Sequence, residues 1–264
     1  MTEAVFPQAF RPLRSRNLLA VASGKGGVGK TWFSITLAHA LARKGRRVLL
    51  FDGDLGLANV DIQLGLSPKR DLGAVIDGLT NMAGATERFA DGGFDVLAGR
   101  SGSGSLANLP SHRLGELRNE LLSLAANYDD VIVDLGAGID RTVRNFAGPA
   151  GTTLVVTTDE PTALTDAYAF IKVVHATVPS ADLRVVVNMA QTPRDGERTY
   201  GTLLKASQNF LKYAPQLAGI VRRDQRVRET IRFQTPLLTR SPGSEAAQDV
   251  EAIAAKLALR DRDY

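Results

Sequence analysis

Cysteine is absent from this 264-residue sequence. Disulfides, thiolate metal sites, iron–sulfur clusters and cysteine nucleophiles are excluded with it. No apolar run approaches the ~18–20 residues needed to span a bilayer. The first 16 residues hold basic side chains but lack the apolar stretch of a signal-peptide core. A soluble, cytoplasmic chain is the expectation. Aromatic residues are scarce, at 6% with one tryptophan. The three histidines, His39, His112 and His175, show no metal-ligand spacing, so packing or exposure is expected for each. Charge of one sign is not dominant either. A net charge of +4 permits contact with DNA or anionic lipid without demanding it.

What is present is apolar: 44% of the residues are hydrophobic, ample for a core in a chain that buries roughly 70–75% of its unfolded surface. Short apolar runs at residues 18–22, 48–52, 94–97, 131–134, 153–157, 183–187 and 218–221 read as strands. Most are continuously apolar, as parallel strands covered on both faces are. Helical segments are expected at residues 30–44, 112–127, 162–178, 199–212 and 245–259. Strand followed by helix along the whole chain predicts an α/β fold. The sheet is doubly wound, mostly parallel and of about seven or eight strands, with helices on both faces. Residues 17–264 are expected to form a single domain behind an N-terminal extension, 1–16, that contains Pro7 and Pro12. Residues 99–105, Gly-Arg-Ser-Gly-Ser-Gly-Ser, read as a surface loop.

The strongest motif is Gly24-Lys25-Gly26-Gly27-Val28-Gly29-Lys30-Thr31. It follows an apolar strand and opens a helix, the setting of a phosphate-binding P-loop. Glycines let backbone N–H groups turn inward around phosphates, and the helix N-terminus adds favourable dipole charge. Lys30 would reach the β- and γ-phosphates of ATP or ADP, and the Thr31 hydroxyl would ligate Mg2+. Trp32, the next residue, is counted with the nucleotide-binding positions. Lys25 is either poised near the phosphates or a solvated surface lysine. At the end of the fourth expected strand, Asp134 completes a Walker B pattern and would hold Mg2+. Residues 52–61 follow the second strand and begin Asp52-Gly53-Asp54. Their carboxylates lie on the sheet edge where ligands of open α/β sheets bind. Capping of the next helix by Asp54 or Asn59 is the competing reading.

With Lys25 added to the P-loop, the sequence resembles the MinD/ParA family of P-loop ATPases, from about residue 18 to 255. The resemblance implies ATP-dependent homodimers joined face to face around two nucleotides, with Lys25 crossing to the partner's phosphates. It makes Lys25, Lys30 and Asp54 the catalytic residues, Asp54 positioning the attacking water. It adds Asp54 to Thr31 and Asp134 as a Mg2+ position. Asn188 would hydrogen-bond adenine, and Glu160 would contact the partner's nucleotide. Arg222 stands where that family usually has proline beside the base. Residues 55–61, 134–139 and 160–169 look most like the FlhG/FleN group, MinD-like ATPases that control flagellar number and placement.

That resemblance implies a regulatory protein partner, a flagellar GTPase or a transcription factor, and transient residence at the inner membrane face or cell pole. Two group features match poorly. The N-terminal activator pattern is altered around Gln8-Ala9 and Leu13-Arg14. The helix at 245–259 has few cations and no aromatic residue, so it is expected to pack on the sheet rather than bind a membrane. The rival readings are a DNA-partition ATPase using Arg222, Arg223, Arg226, Arg228 and Arg232, and a scaffold that binds nucleotide without turnover. The arginines also read as a solvated loop and helix.

Overall fold

The computed structural model describes residues 15–99 and 109–259. The strands are β1 (Ser15–Ser23), β2 (Val48–Gly53), β3 (Glu87–Phe89), β4 (Phe94–Leu97), β5 (Asp130–Ala137), β6 (Ala150–Thr157), β7 (Leu183–Ala190) and β8 (Gln216–Arg222). They form one sheet in the order β3-β4-β2-β5-β1-β6-β7-β8. Every pairing is parallel except β3 with β4. The longer helices are α1 (Lys30–Ala42), α5 (Ser111–Ala125), α7 (Pro161–Thr177), α8 (Pro193–Leu211) and α11 (Glu245–Leu259). Shorter ones are α2 (Val60–Leu64), α3 (Leu72–Ile76), α4 (Met82–Ala85), α6 (Arg141–Ala147), α9 (Gln225–Arg232) and α10 (Leu237–Arg240).

The continuous apolar runs follow from coverage of both sheet faces. Along β1, Leu18, Ala20 and Ala22 join the core that includes residues of α5, α6, α7 and α8. Leu19 and Val21 join the opposite core with residues of α1, α10 and α11. Side chains of a strand alternate between faces, so a strand with two buried faces needs apolar residues at every position. β1 lies at the centre of the sheet, and α1 rises directly from its C-terminal end.

The expected doubly wound architecture is present, and several local details differ. β3 was not anticipated. Its Glu87 and Arg88 suit a short edge strand, where charge discourages further pairing. α8 begins at Pro193 rather than at 199, because Thr192 caps it by accepting the Asp195 N–H at 3.2 Å and proline is favoured at the first helical position. The short helices, of four to eight residues, offer too few turns for periodicity to reveal. β1 starts at Ser15, inside the segment expected to precede it; the altered activator pattern, residues 100–105 of the expected loop and the tail from 260 lie outside the described residues. α11 buries Val250, Ile253, Ala254 and Leu257 against the sheet and α1. Among the described residues, no helix is long and apolar enough to cross a membrane.

Candidate functional site

The phosphate loop spans the gap between β1 and α1. Gly29 caps α1 at φ +86°, a left-handed conformation that a side chain makes costly. A Cβ at Gly29 would also lie 2.5 Å from the Asn188 amide nitrogen. Gly24 is needed for a different reason. A Cβ there would stand 2.1 Å from the Asp166 carbonyl oxygen, so α7 can approach the loop only over a glycine. No side chain caps the N-terminus of α1, and its first turn holds no acidic residue. Its free N–H groups and dipole are available to an anion.

Beneath the loop, β5 brings Asp134 against α1. The Thr31 hydroxyl donates to Asp134 Oδ2 at 2.6 Å, and the Ser34 hydroxyl to Oδ1 at 2.9 Å. Ser34 was missed in the sequence, although its position three residues beyond Thr31 puts it on the same helix face. Asp52 pairs with Asp134 in register across β2 and β5. Both carboxylates are buried. Burial foremost raises Asp134 to about 6, against the opposing hydroxyl bonds and the Lys30 charge. Burial, then the charge of Asp134, raises Asp52 to about 7.

The loop after β2 corrects the capping expectation. Neither Asp54 nor Asn59 caps α2 through its side chain; Asp52 Oδ2 reaches forward to accept the N–H groups of Asn59 and Val60, at 3.0 and 3.1 Å. Asp52 Oδ1 accepts the Asp54 N–H at 3.2 Å. One buried carboxylate thus holds both ends of the loop. Asp54 accepts the N–H groups of Gly56 and Leu57 at 3.2 and 3.0 Å. Its carboxylate also faces Gly136, where a Cβ would lie 3.4 Å from it. Asp54 is therefore brought to the same sheet edge as the phosphate loop and Asp134.

Lys25 is not a free surface lysine. Its ammonium donates to Glu160 Oε2 and Thr162 Oγ1, both at 2.8 Å, at the start of α7. Glu160 is thereby held below the usual carboxylate range. Thr162, the second acceptor, lies in the 160–169 segment but was given no role from the sequence, because only the tertiary approach of α7 to Gly24 brings it near Lys25.

Beside α1 opens a cleft of about 520 Å³. Trp32, Asn188, Met189, Arg222 and Val227 are among its walls. Asn188 is buried and donates to the Val28 carbonyl at 2.8 Å, bracing the phosphate loop while it lines the cleft. The next residue, Met189, adopts a left-handed φ of +58° where the β7–β8 register shifts. Backbone strain of this kind gathers at functional sites. Arg222 takes the place of the usual proline and does what proline cannot. Its backbone N–H donates to Asp249 at 2.9 Å, and its guanidinium bonds Asp249 and Glu245. It ties β8 to α11 at the cleft's rim. His39 is buried near Phe94, and His175 stacks on Tyr213 with ring centroids 4.4 Å apart, so both pack.

The CobQ/CobB/MinD/ParA nucleotide-binding domain matches residues 19–237. Antiactivator FleN of Pseudomonas aeruginosa is 39% identical over 91% of this chain and 85% of that protein. The flagellum site-determining protein YlxH of Helicobacter pylori is 30% identical over 90% of this chain and 81% of its own length. In fold, the chain is similar to the septum site-determining protein MinD of Pyrococcus horikoshii, solved with Mg-ADP. The TM-score is 0.76 at 23% identity, covering 91% of this chain and 95% of that one. A phosphate loop with a second lysine, an aspartate-ended β5 beneath it and these relatives agree: the chain belongs to the CobQ/CobB/MinD/ParA nucleotide-binding family, as a MinD/ParA-type P-loop ATPase with FleN/FlhG homologues.

Proposed function

We propose that this chain is a Mg2+-dependent ATP hydrolase that works as an ATP-switched dimer and controls flagellar number or placement through a protein partner. The observation that carries the catalytic part is the Thr31–Asp134 hydrogen bond beneath an uncapped α1. A hydroxyl and carboxylates, all hard oxygen donors, fit Mg2+, which usually keeps waters and substrate phosphates as its other ligands. Thr31 and Asp134 would hold the ion, with Asp54 close by. Bound Mg2+ would neutralise charge developing on the phosphates.

The chain's own groups supply the rest. Lys30 and the N–H groups of the loop bind and orient the phosphates, and Asp54 positions the attacking water. The base lies in the cleft walled by Trp32, Asn188 and Arg222. Hydrolysis is slow and partner-stimulated. Lys25 leaves Glu160 and crosses to the phosphates held by a second copy.

The flagellar role is supported by the near full-length similarity to FleN and YlxH. The partner is then a flagellar GTPase or a transcription factor. The protein works in the cytoplasm and transiently at the inner membrane face or cell pole. Phosphate release from purified protein, against a Lys30→Ala control, tests the enzyme reading. Turnover equal to that control would leave only a nucleotide-binding scaffold. Flagellar counts in a deletion strain test the role; unchanged flagellation would exclude it.

A further inference from the structure

Gln234 holds a backbone conformation that suits glycine. Its φ is +50°, and it stands one residue past Phe233, the C-cap of α9. The Gln234 N–H donates to the Ile231 carbonyl at 3.2 Å, and the Thr235 N–H to the Thr230 carbonyl at 3.0 Å. This pair of bonds is a Schellman closure, whose left-handed residue is usually glycine. A left-handed glutamine persists only where its surroundings hold it, and here the side chain is what is held. Its Nε2 donates to the Ile62 carbonyl of α2 at 2.8 Å, 172 residues away in sequence. α2 leaves room for it at Gly65, its own C-cap at φ +66°, where a Cβ would lie 3.1 Å from Gln234 Oε1.

This bond joins two parts of the nucleotide site. Asp224, Val227, Arg228 and Ile231 have the spacing of one helical face, and they wall the 520 Å³ cleft. On the other side, Asp52 holds the start of α2 by accepting the Asn59 and Val60 N–H groups, and it also accepts the Asp54 N–H. α1, α2 and α9 meet again at a second cavity of about 10 Å³. Trp32 and Ile231 wall both cavities, and Gln63 of α2 walls the smaller. Among the described residues, buried Trp32 Nε1 and Gln63 Oε1 have no hydrogen-bond partner. A donor on α1 and an acceptor on α2 are thus left for a second position of α2 to use.

We propose that Gln234 is a positioning residue that makes α2 a strut between the base cleft and Asp54. A base seated against Trp32 and Ile231 fixes the end of α9. Gln234 passes that constraint to Ile62, and α2 passes it to the loop that begins at Asp54. The carboxylate that positions water is then set when the cleft is filled, and phosphates without a base leave it unset. This inference rests on the nucleotide-hydrolysing function proposed above and names the residue that links its base to its chemistry.

The cysteine-free chain allows a nitroxide label at Leu57→Cys, a position 75% exposed on the loop after Asp54. Its EPR spectrum is recorded in Mg2+ with saturating ADP, or with saturating pyrophosphate, which offers phosphates but no base. In the parent protein ADP should immobilise the label more than pyrophosphate does. Gln234→Gly keeps the left-handed backbone and removes the amide. In it the two spectra should coincide, while ADP affinity, followed by Trp32 emission, stays within a few-fold of the parent. Without the label, Gln234→Gly should lose ATP turnover several-fold at unchanged KM and leave tripolyphosphate turnover unchanged.

An ADP–pyrophosphate difference that survives in Gln234→Gly would overturn the strut. Coincident spectra in the parent protein would do the same, as would equal losses of ATP and tripolyphosphate turnover, the mark of a residue that only ties two helices together. Each of these leaves nucleotide binding standing. A parent protein that binds neither ADP nor pyrophosphate would overturn the proposed function, and the strut with it.

Discussion

Thr31 and Asp134 lie 103 residues apart in sequence and meet through a 2.6 Å hydrogen bond at the floor of the phosphate loop. With Ser34 on its other oxygen, Asp134 has hydroxyl donors from α1 on both sides. A buried carboxylate in a family of nucleotide-binding proteins is thus held at the base of the helix whose N-terminus is proposed to bind phosphate.

Removing that carboxylate should weaken the metal before the nucleotide. For Asp134→Asn, the apparent Mg2+ affinity in an ATPase titration is expected to fall roughly 10–100-fold. Binding of ATP without metal should change little. An unchanged Mg2+ dependence would mean that Asp134 only anchors α1. Ser34→Ala should leave the metal response intact but cost about 1–3 kcal/mol of folding stability, because a buried acceptor loses its donor.

Gly24→Ala tests the close approach of α7. Its new Cβ would meet the Asp166 carbonyl at 2.1 Å, and overpacking of this kind typically costs about 1–3 kcal/mol. Denaturant unfolding and nucleotide titration should both show the damage. A variant with native stability would mean that α7 and the loop are not packed this closely.

Trp32 provides an optical probe because it is the sole tryptophan and lines the cleft. Its emission should change saturably as ADP is added, and Trp32→Phe should abolish the signal. Constant emission during binding detected by another method would place the base outside this cleft.

Lys25→Ala separates binding from assembly. ATP affinity should stay within a few-fold of wild type, since Lys25 bonds Glu160 and Thr162 in the single chain. ATP-dependent dimerisation should disappear in sedimentation velocity. Retained dimers would show that the second lysine is not a cross-protomer contact.

Acid should act on folding through His39. Burial, then the charge of Arg43, lowers its pKa from 6.5 to about 4. The unfolded chain therefore binds more protons between those values. The His39 contribution is complete above about pH 6.5 and is lost as the pH falls towards 4. Asp52 has the opposite sign. Its pKa is raised from 3.8 to about 7, so its contribution is complete below 3.8 and lost as pH rises through 7. Urea unfolding of wild type and His39→Leu across this range should show a shallower acid loss in the variant. Identical slopes would mean that His39 is not held neutral.

The sequence by itself determined the sheet, because two-sided burial forces continuous apolar runs such as Leu18-Leu19-Ala20-Val21-Ala22. It also determined the phosphate loop, whose glycines answer to backbone geometry in adjacent residues. Short edge elements such as Glu87–Phe89 left no periodic trace, and the start of α8 was obscured by Gly196. That glycine is there because a Cβ would lie 2.4 Å from Ile220. Only tertiary structure decided the partners of the site residues. Asp52 rather than Asp54 or Asn59 caps α2, Asn188 braces Val28, and Arg222 spans to α11. Lys25 pairs with Glu160 across an exposed face of the molecule. Each of these bonds joins segments that are distant in sequence or separated by a turn. Their geometry is set by how strands align and helices approach, and local residue order does not encode it.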